Sequence, residues 1–440
     1  MAEKMKFDTF QFVDYHFDEN NHTASFWYAF DDKLKFEEKV EFTIGRKDYD
    51  TDALHAALFL AWIVAGTSYY KCFPNVSNIT APFRLDAFEA DFFTKVYQEG
   101  MSQYAFENNL TRNDLISFHA IVDDPEPPKA KNMIVQAEEP FLTLQSGGKD
   151  SLLTAVLIRD MGSKWIPTYM QYSETYPKLL DKLGNPQLFK RHIDRDGLAI
   201  AKERGALNGH VPITYIVCAY AVIQAILAGQ KTVLLSVGHE GDEANAHIDD
   251  LAVNHQWSKT WPAEQLFSEY VNRYISQDIA IGSILRPLTE LAIAELFVEY
   301  CWQEFGHVFS SCNRANYMQG QNNETLKWCG ECPKCANNFL LFAPFVEPQE
   351  LMSLFGGQNL FAKEMLYETW KGLLGIEGVM KPFECVGETE ELRKAFNMAV
   401  DKWGSDTYSL PFDVPKSDFD YKKRYEAQTW ASNLLDETLK

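Results

Sequence analysis

Two short runs in this 440-residue chain combine residue types and spacings that could do chemistry. The first is SGGKDS (146–151), set between an apolar stretch, FLTLQ, and a helix-like LLTAVLIRD. Gly147 and Gly148 carry no Cβ, so backbone N–H groups can approach an anion closely, and a helix start adds unpaired donors and the positive end of a dipole. Ser146 and Ser151 supply hydroxyls, Lys149 a charge and Asp150 a carboxylate. Together they read as a phosphate cradle, although not as a Walker A loop, which requires G-x-x-x-x-G-K-[ST]. The competing reading is a tight strand-to-helix turn whose glycines serve packing alone. The second run holds Cys312, Cys329, Cys332 and Cys335 in a C-x16-C-x2-C-x2-C spacing. Four thiolates can close a tetrahedral site, which zinc favours in structural positions. An iron–sulfur cluster uses related spacings, and unmetallated thiols complete the alternatives. A metal there would pin the loop carrying Ser310, Ser311, Asn313 and Arg314.

Positioning the cradle requires a strand running straight into a helix, and the surrounding pattern supplies it. From 138 onward strand-like and helix-like pieces alternate: FLTLQ and the helix after it, WIPTYMQ, a helix after Pro212, TVLLSV, and helices from about Pro262 and Leu288. Such alternation predicts an α/β fold with a parallel sheet flanked by helices. Before it, residues 6–45 alternate apolar and polar positions with DENN and FDDK as turn signals, which predicts an antiparallel meander, followed by helical stretches around 52–69 and 87–106. The Pro- and charge-rich run 123–131 reads as a linker. The expected organisation is an N-terminal α+β domain (1–125), a catalytic α/β domain (132–345) with the cysteine loop at 312–335, and a mostly helical C-terminal region (346–440).

Composition narrows the partners. With 41 Lys+Arg against 62 Asp+Glu the net charge is −21, which opposes a broad grip on nucleic acid. The N-terminal MAEKMKFDTF has no apolar signal core, and the apolar stretch 211–228 contains Pro212, Thr214, Tyr215, Tyr220 and Gln224, so it reads as a buried helix rather than a span. A cytoplasmic protein without membrane or nucleic-acid partners is expected. Eight cysteines are too few for a disulfide scaffold.

The hexapeptide SGGKDS resembles the SGGxDS signature of PP-loop ATP pyrophosphatases, which cleave ATP to AMP and pyrophosphate while adenylating a substrate. The cysteine run is similar to that of 7-cyano-7-deazaguanine synthase, another PP-loop enzyme. AGTSYYK (65–71), NGHVPIT (208–214), VNHQWSKTWPAEQLF (253–267), SILRPLTELA (283–292), SSCNR (310–314), WCGECPKC (328–335) and KPFECVGE (381–388) look like the MurL family. Members are ATP-dependent epimerases of UDP-N-acetylmuramoyl-L-alanyl-L-glutamate in peptidoglycan precursor biosynthesis. The chain departs from that pattern in SVGHEGDEANAHIDD, where a shorter Ser-Asn-Glu-Arg type of run is usual, and Ser236 and Glu240 are the candidate matches. That departure bears on substrate identity more than on reaction type.

The resemblance implies a PP-loop fold, ATP and Mg²⁺, a structural Zn²⁺, a UDP-muramyl dipeptide substrate and a place after an L-glutamate-adding muramyl ligase. It makes Ser146, Gly147, Gly148, Lys149, Asp150 and Ser151 the nucleotide-binding residues, with Asp150 helping to hold the metal ion. Lys149, Lys259, Arg286 and Arg314 are candidates to offset charge at the displacement. The alternatives are a solvated helix entry for Lys259, a structural ion pair for Arg286 and a brace of the cysteine loop for Arg314. Candidates for α-proton transfer are His210, His255 and Cys385, with His239 and Glu240 behind them. Cys72, Cys218 and Cys301 sit in apolar surroundings and read as core. Other adenylating PP-loop enzymes that form amides or nitriles, a tRNA sulfur-transfer protein and a non-catalytic nucleotide-binding scaffold stay open as alternatives.

Overall fold

The computed structural model describes residues 6–43, 48–121, 141–318 and 322–440. The N-terminal alternation folds as expected into three antiparallel strands, β1 (Thr9–Asp18), β2 (Thr23–Phe30) and β3 (Leu34–Phe42), with a short β4 (Asn78–Thr80) beside β1. In β3, buried and more exposed residues alternate strictly, as a half-covered strand demands. Five further strands run parallel: β5 (Phe141–Leu144), β6 (Trp165–Gln171), β7 (Gln187–His192), β8 (Thr232–Leu235) and, after a small hairpin of β9 (Ala246–Ile248) and β10 (Leu251–Val253), β11 (Ala280–Ser283). β3 lies antiparallel on β7, so the nine described strands outside the hairpin share one sheet, in the order β11-β8-β5-β6-β7-β3-β2-β1-β4.

The sheet is a wall between two cores. Neighbouring residues on one strand face opposite sides. Val233 joins one cluster and Leu234 the other, as do Met170 and Tyr169. On the first side lie the helices Thr51–Ala65 and Ile213–Ala228, which pack on each other. By length and composition Thr51–Tyr70 could cross a membrane, but 83% of its apolar window is buried inside the fold. Ile213–Ala228 is buried along most of its length and ends at Gly229, whose left-handed φ of 75° lets the chain turn into β8. On the second side lie Lys149–Asp160, Glu290–Tyr300 and most of the C-terminal region.

Two of the parallel strands escaped the sequence pattern, as did the short β4, β9 and β10. β7 (QLFKRH) mixes charge into its alternation, and β11 (AIGS) is four residues with a glycine. The C-terminal region carries the helices Pro348–Leu354, Tyr367–Leu373, Thr389–Trp403 and Thr429–Thr438, yet 404–428 is not helical. The predicted linker at 123–131 lies outside the described residues. We keep the boundaries 1–125, 132–345 and 346–440 as a proposal for folding units; the sheet and the first core pass across the first of them through the β3–β7 pair.

Among the parallel strands the order reverses between β5 and β8. From β5 the sheet grows through β6 and β7 on one side and through β8 and β11 on the other. The connections leaving β5 and β8 therefore part to opposite faces and open a crevice at their carboxyl ends, where ligands of open α/β sheets bind.

Candidate active site

SGGKDS lies at this reversal point, directly after β5. Gly147 has φ +79°, where an L side chain is strained, and an added Cβ would meet Leu326 Cδ1 at 2.5 Å. A Cβ on Gly148 would stand 3.2 Å from that of Ser311. The hydroxyls of Ser146 and Ser151 are 3.3 Å apart, Ser146 N–H donates to Ser151 Oγ (3.2 Å), and Ser151 Oγ donates to the Gly148 carbonyl (3.2 Å). The helix Lys149–Asp160 begins at Gly148 without a side-chain cap, leaving its first-turn N–H groups for an anion. Ser310 N–H donates to the Gly147 carbonyl (3.2 Å), so the segment leading to Cys312 is seated against the glycine loop.

The sequence reading gave Lys149 to the loop, and its side chain turns inward instead. Only 1% exposed, it pairs with Asp150 Oδ1 (2.6 Å) and Glu290 Oε1 (3.2 Å). Burial pulls its pKa down, but Asp150, Glu290 and Glu240 more than reverse this, and it stays charged. Two carboxylates thus pair with one cation, and a third, Glu240, lies in its field. Glu240 is 8% exposed, its Oε2 has no hydrogen-bond partner, and burial with Glu290 and Asp150 raises its pKa to about 7. Behind it Glu391, which accepts from Leu291 N–H (2.7 Å), is pushed up to about 8 by burial and by Glu290. This side of the site carries surplus negative charge.

The other side gathers nitrogen. Lys259 Nζ lies 3.1 Å from Cys385 Sγ, and Lys334 Nζ donates to the Cys385 carbonyl. Burial alone would raise the Cys385 pKa, but the charges of Lys259 and Lys334 and a hydrogen bond from His255 hold the thiol well below its ordinary range. His255 Nδ1 is 2.6 Å from Gln103 Oε1, and its ring centroid is 4.5 Å from that of His210. Burial and the nearby His255, Lys259 and Lys71 lower the His210 pKa to about 3, so that ring is neutral.

Arg286 reaches the crevice but is spent on bracing it. With 0% exposure, it pairs with Glu264 through Nε (3.0 Å) and Nη2 (2.9 Å) and donates to the Gly238 (2.6 Å) and Lys259 (2.7 Å) carbonyls. It ties the loop after β8 to the one carrying Lys259. His239 stacks on Tyr425 with centroids 3.5 Å apart and stands 3.5 Å from both Asp242 and Glu388. Arg314, 55% exposed on its side chain, faces Glu331 (3.5 Å) and is outside the crevice. Cys72, Cys218 and Cys301 are buried in the core.

The four clustered cysteines converge. Their sulfurs all lie within 4.8 Å of one another, with Cys312–Cys332 at 3.7, Cys329–Cys335 at 3.6 and Cys332–Cys335 at 3.5 Å. Tetrahedral ligands about 2.3 Å from a zinc ion stand roughly 3.8 Å apart, so the cluster could hold such a metal.

Sequence reasoning brought together Asp150, Lys259, His210, His255 and Cys385 and missed Lys71, Gln103, Glu290, Lys334 and Glu391. Lys71, Glu290 and Lys334 lie inside runs already singled out. A charged residue on a helix is ordinarily solvated, however, and only the tertiary fold turns these inward.

A model described as the MurL N-terminal domain matches residues 1–284, and one described as the MurL C-terminal domain matches 308–409. Among curated relatives, three proteins named UDP-N-acetyl-alpha-D-muramoyl-L-alanyl-L-glutamate epimerase are similar. That from Xanthomonas oryzae pv. oryzae is 32% identical over 90% of this chain and 86% of its own. Those from Salinispora tropica and a Micromonospora species are each 31% identical, over 91% and 90% of this chain and 86% and 88% of theirs. Both matched regions contribute side chains to the crevice, Asp150 and Lys259 from the first and Cys385 from the second, and on this evidence the chain belongs to the MurL family.

Proposed function

We propose that this chain inverts the terminal L-glutamate of UDP-N-acetylmuramoyl-L-alanyl-L-glutamate to the D form at the expense of ATP, in the cytoplasm, after a ligase has added L-glutamate. The α-hydrogen of a glutamate with a free α-carboxylate is a very weak acid, because the carbanion would stand beside an existing negative charge. Adenylation removes that obstacle. A carboxylate oxygen attacks the α-phosphorus of ATP, the bond to the β-phosphate breaks, and pyrophosphate leaves. The α-carbon then gives its proton to a base and takes one on the opposite face. Water finally cleaves the acyl-phosphate bond, so one ATP and one water become AMP and pyrophosphate per inversion.

The residues fit these demands. The uncapped helix start at Gly148, with the Ser146 and Ser151 hydroxyls, suits the departing pyrophosphate within a PP-loop fold. Asp150 and Glu240, whose Oε2 has no hydrogen-bond partner, would hold Mg²⁺, which offsets phosphate charge when bound. In this reading Cys385 is the thiolate that removes the α-proton, while Lys259 stabilises charge on the acyl oxygen. His255 serves the return of the proton, with the neutral His210 packed against its ring, and Arg286 is a positioning residue. The cysteine cluster would hold structural Zn²⁺ and fix Ser310 on the glycine loop; a four-iron cube, whose thiolates lie on its outside, needs a wider ring than these sulfurs form.

The observation that carries the reading is the meeting of an uncapped glycine loop with a lysine-held thiolate in one crevice. The test is to incubate the protein with ATP, Mg²⁺ and the UDP-linked L-Ala-L-Glu compound in D₂O. AMP release with deuterium at the glutamyl α-carbon is expected, and the absence of both would overturn the reading.

A further inference from the structure

The substrate in that reading has a second carboxylate. Only the carboxyl on the α-carbon can acidify the α-hydrogen, so the γ-carboxylate passes through the reaction as an anion and needs a partner. The three lysines on the cationic side of the crevice are not alike. Lys259 is paired with the Cys385 thiolate, and Lys334, bonded to the Cys385 carbonyl, lies in the field of Glu384. Lys71 is different. Among the described residues its ammonium makes no ion pair, and its hydrogen bond goes to the Gly209 carbonyl at 3.3 Å.

That position is built rather than incidental. Tyr104 Oη donates to the Lys71 carbonyl (2.6 Å), Leu207 N–H donates to the Cys72 carbonyl (2.9 Å), and Asn108 Nδ2 donates to the Asn208 carbonyl (3.0 Å). A Cβ on Gly209 would meet Tyr104 at 2.9 Å, so glycine permits this close lacing. The next residue is His210, whose ring leads through His255 to Cys385. Lys71 thus sits at the end of a chain of contacts that runs from the thiolate through His255 and His210. We propose that Lys71 is the specificity-determining residue of this site, binding the γ-carboxylate of the terminal glutamate while its α-carboxyl reacts. Burial lowers the Lys71 pKa, as an ammonium without a counter-ion requires, and a bound carboxylate would reverse that cost.

The inference rests on the epimerase reading, and one experiment separates the two. The unaltered protein and the variants Lys71→Met, Lys71→Gln and Lys71→Arg are compared on the L-Ala-L-Glu compound and on its L-Ala-L-Gln counterpart, which keeps the shape and loses the charge. The unaltered protein is expected to favour the glutamyl compound by roughly 10–100-fold in kcat/KM, the value of a charge-assisted hydrogen bond. In Lys71→Met or Lys71→Gln that preference collapses through a raised KM with kcat little changed, and Lys71→Arg retains part of it. If both neutral variants slow the two compounds equally, or keep the preference intact, Lys71 only braces the Gly209 loop and the assignment falls. If the unaltered protein turns over neither compound, the epimerase reading itself is overturned.

Discussion

The two sides of the crevice are built from opposite charge. On one, Asp150 and Glu290 pair with Lys149, and Glu240 and Glu391 are pushed towards neutrality. On the other, Lys259, Lys334 and His255 hold one thiolate, with His210 and Lys71 beyond them, in a protein whose net charge is −21. Each arrangement is costly alone, since buried like charges repel and lack water to screen them. On the proposed reading, the contrast gives each ligand its side: a cation with its nucleotide on the acidic side, a multiply anionic acceptor on the basic side, and the reacting carboxyl between.

Substitutions can break that division of labour. Replacing Cys385 by Ser should cut α-proton exchange by about 10²–10⁴-fold, the worth of a positioned acid–base group, while AMP formation persists. Isotope incorporation and AMP release measured on the same sample check this, and a parallel loss of both would place Cys385 in adenylation instead. Asp150→Asn should lower AMP formation and exchange together by roughly 10²–10³-fold, with the cysteine cluster and the fold intact. Unchanged AMP release would remove the metal from this side.

Arg286→Ala tests the seam between the sides. Removing the partner of buried Glu264 should cost about 3–5 kcal/mol of stability in denaturant unfolding. Full stability with lost turnover would make Arg286 a substrate contact. The smallest effect expected is in alkylation. An ordinary thiol loses thiolate tenfold per pH unit below about 8.5, whereas alkylation of Cys385 should fall off less steeply as pH drops, because the charges of Lys259 and Lys334 hold its thiol well below the ordinary range. Cys72, pushed up to about 12 by burial, should stay inert. Peptide mapping of the alkylated protein distinguishes them. The linkage has a definite sign. Between the native and unfolded thiol pKa values the unfolded chain binds more protons, so this group adds stability as pH rises to about 8.5 and loses it as pH falls through the native value. Cys385→Ser should flatten that slope.

What was legible in the sequence was local. The glycine loop announced itself because strand, turn and helix start are contiguous, and the meander because apolar residues alternate along it. Cys312, Cys329, Cys332 and Cys335 were grouped by spacing, and their sulfurs meet. What was not legible was pairing across long stretches of chain. Arg286 was placed at the correct strand-to-helix junction, but its role turns on Glu264 and two distant carbonyls. Lys149 looked like a phosphate ligand until Glu290, far along the chain, drew it inward. β7 was missed because its charged residues serve cross-strand partners: Arg191 pairs with the buried Glu38 of β3 at 2.7 Å, a contact that no single segment encodes.

The central claim is that the acidic side receives a metal-bound nucleoside triphosphate on the glycine loop. Calorimetric titration of a non-hydrolysable ATP analogue tests it most directly, with Mg²⁺ and then with a chelator, on the unaltered protein and on Asp150→Asn. Saturable heat that depends on Mg²⁺ and disappears in the variant is the predicted result; no heat from well-folded unaltered protein, with or without the acceptor present, would contradict it.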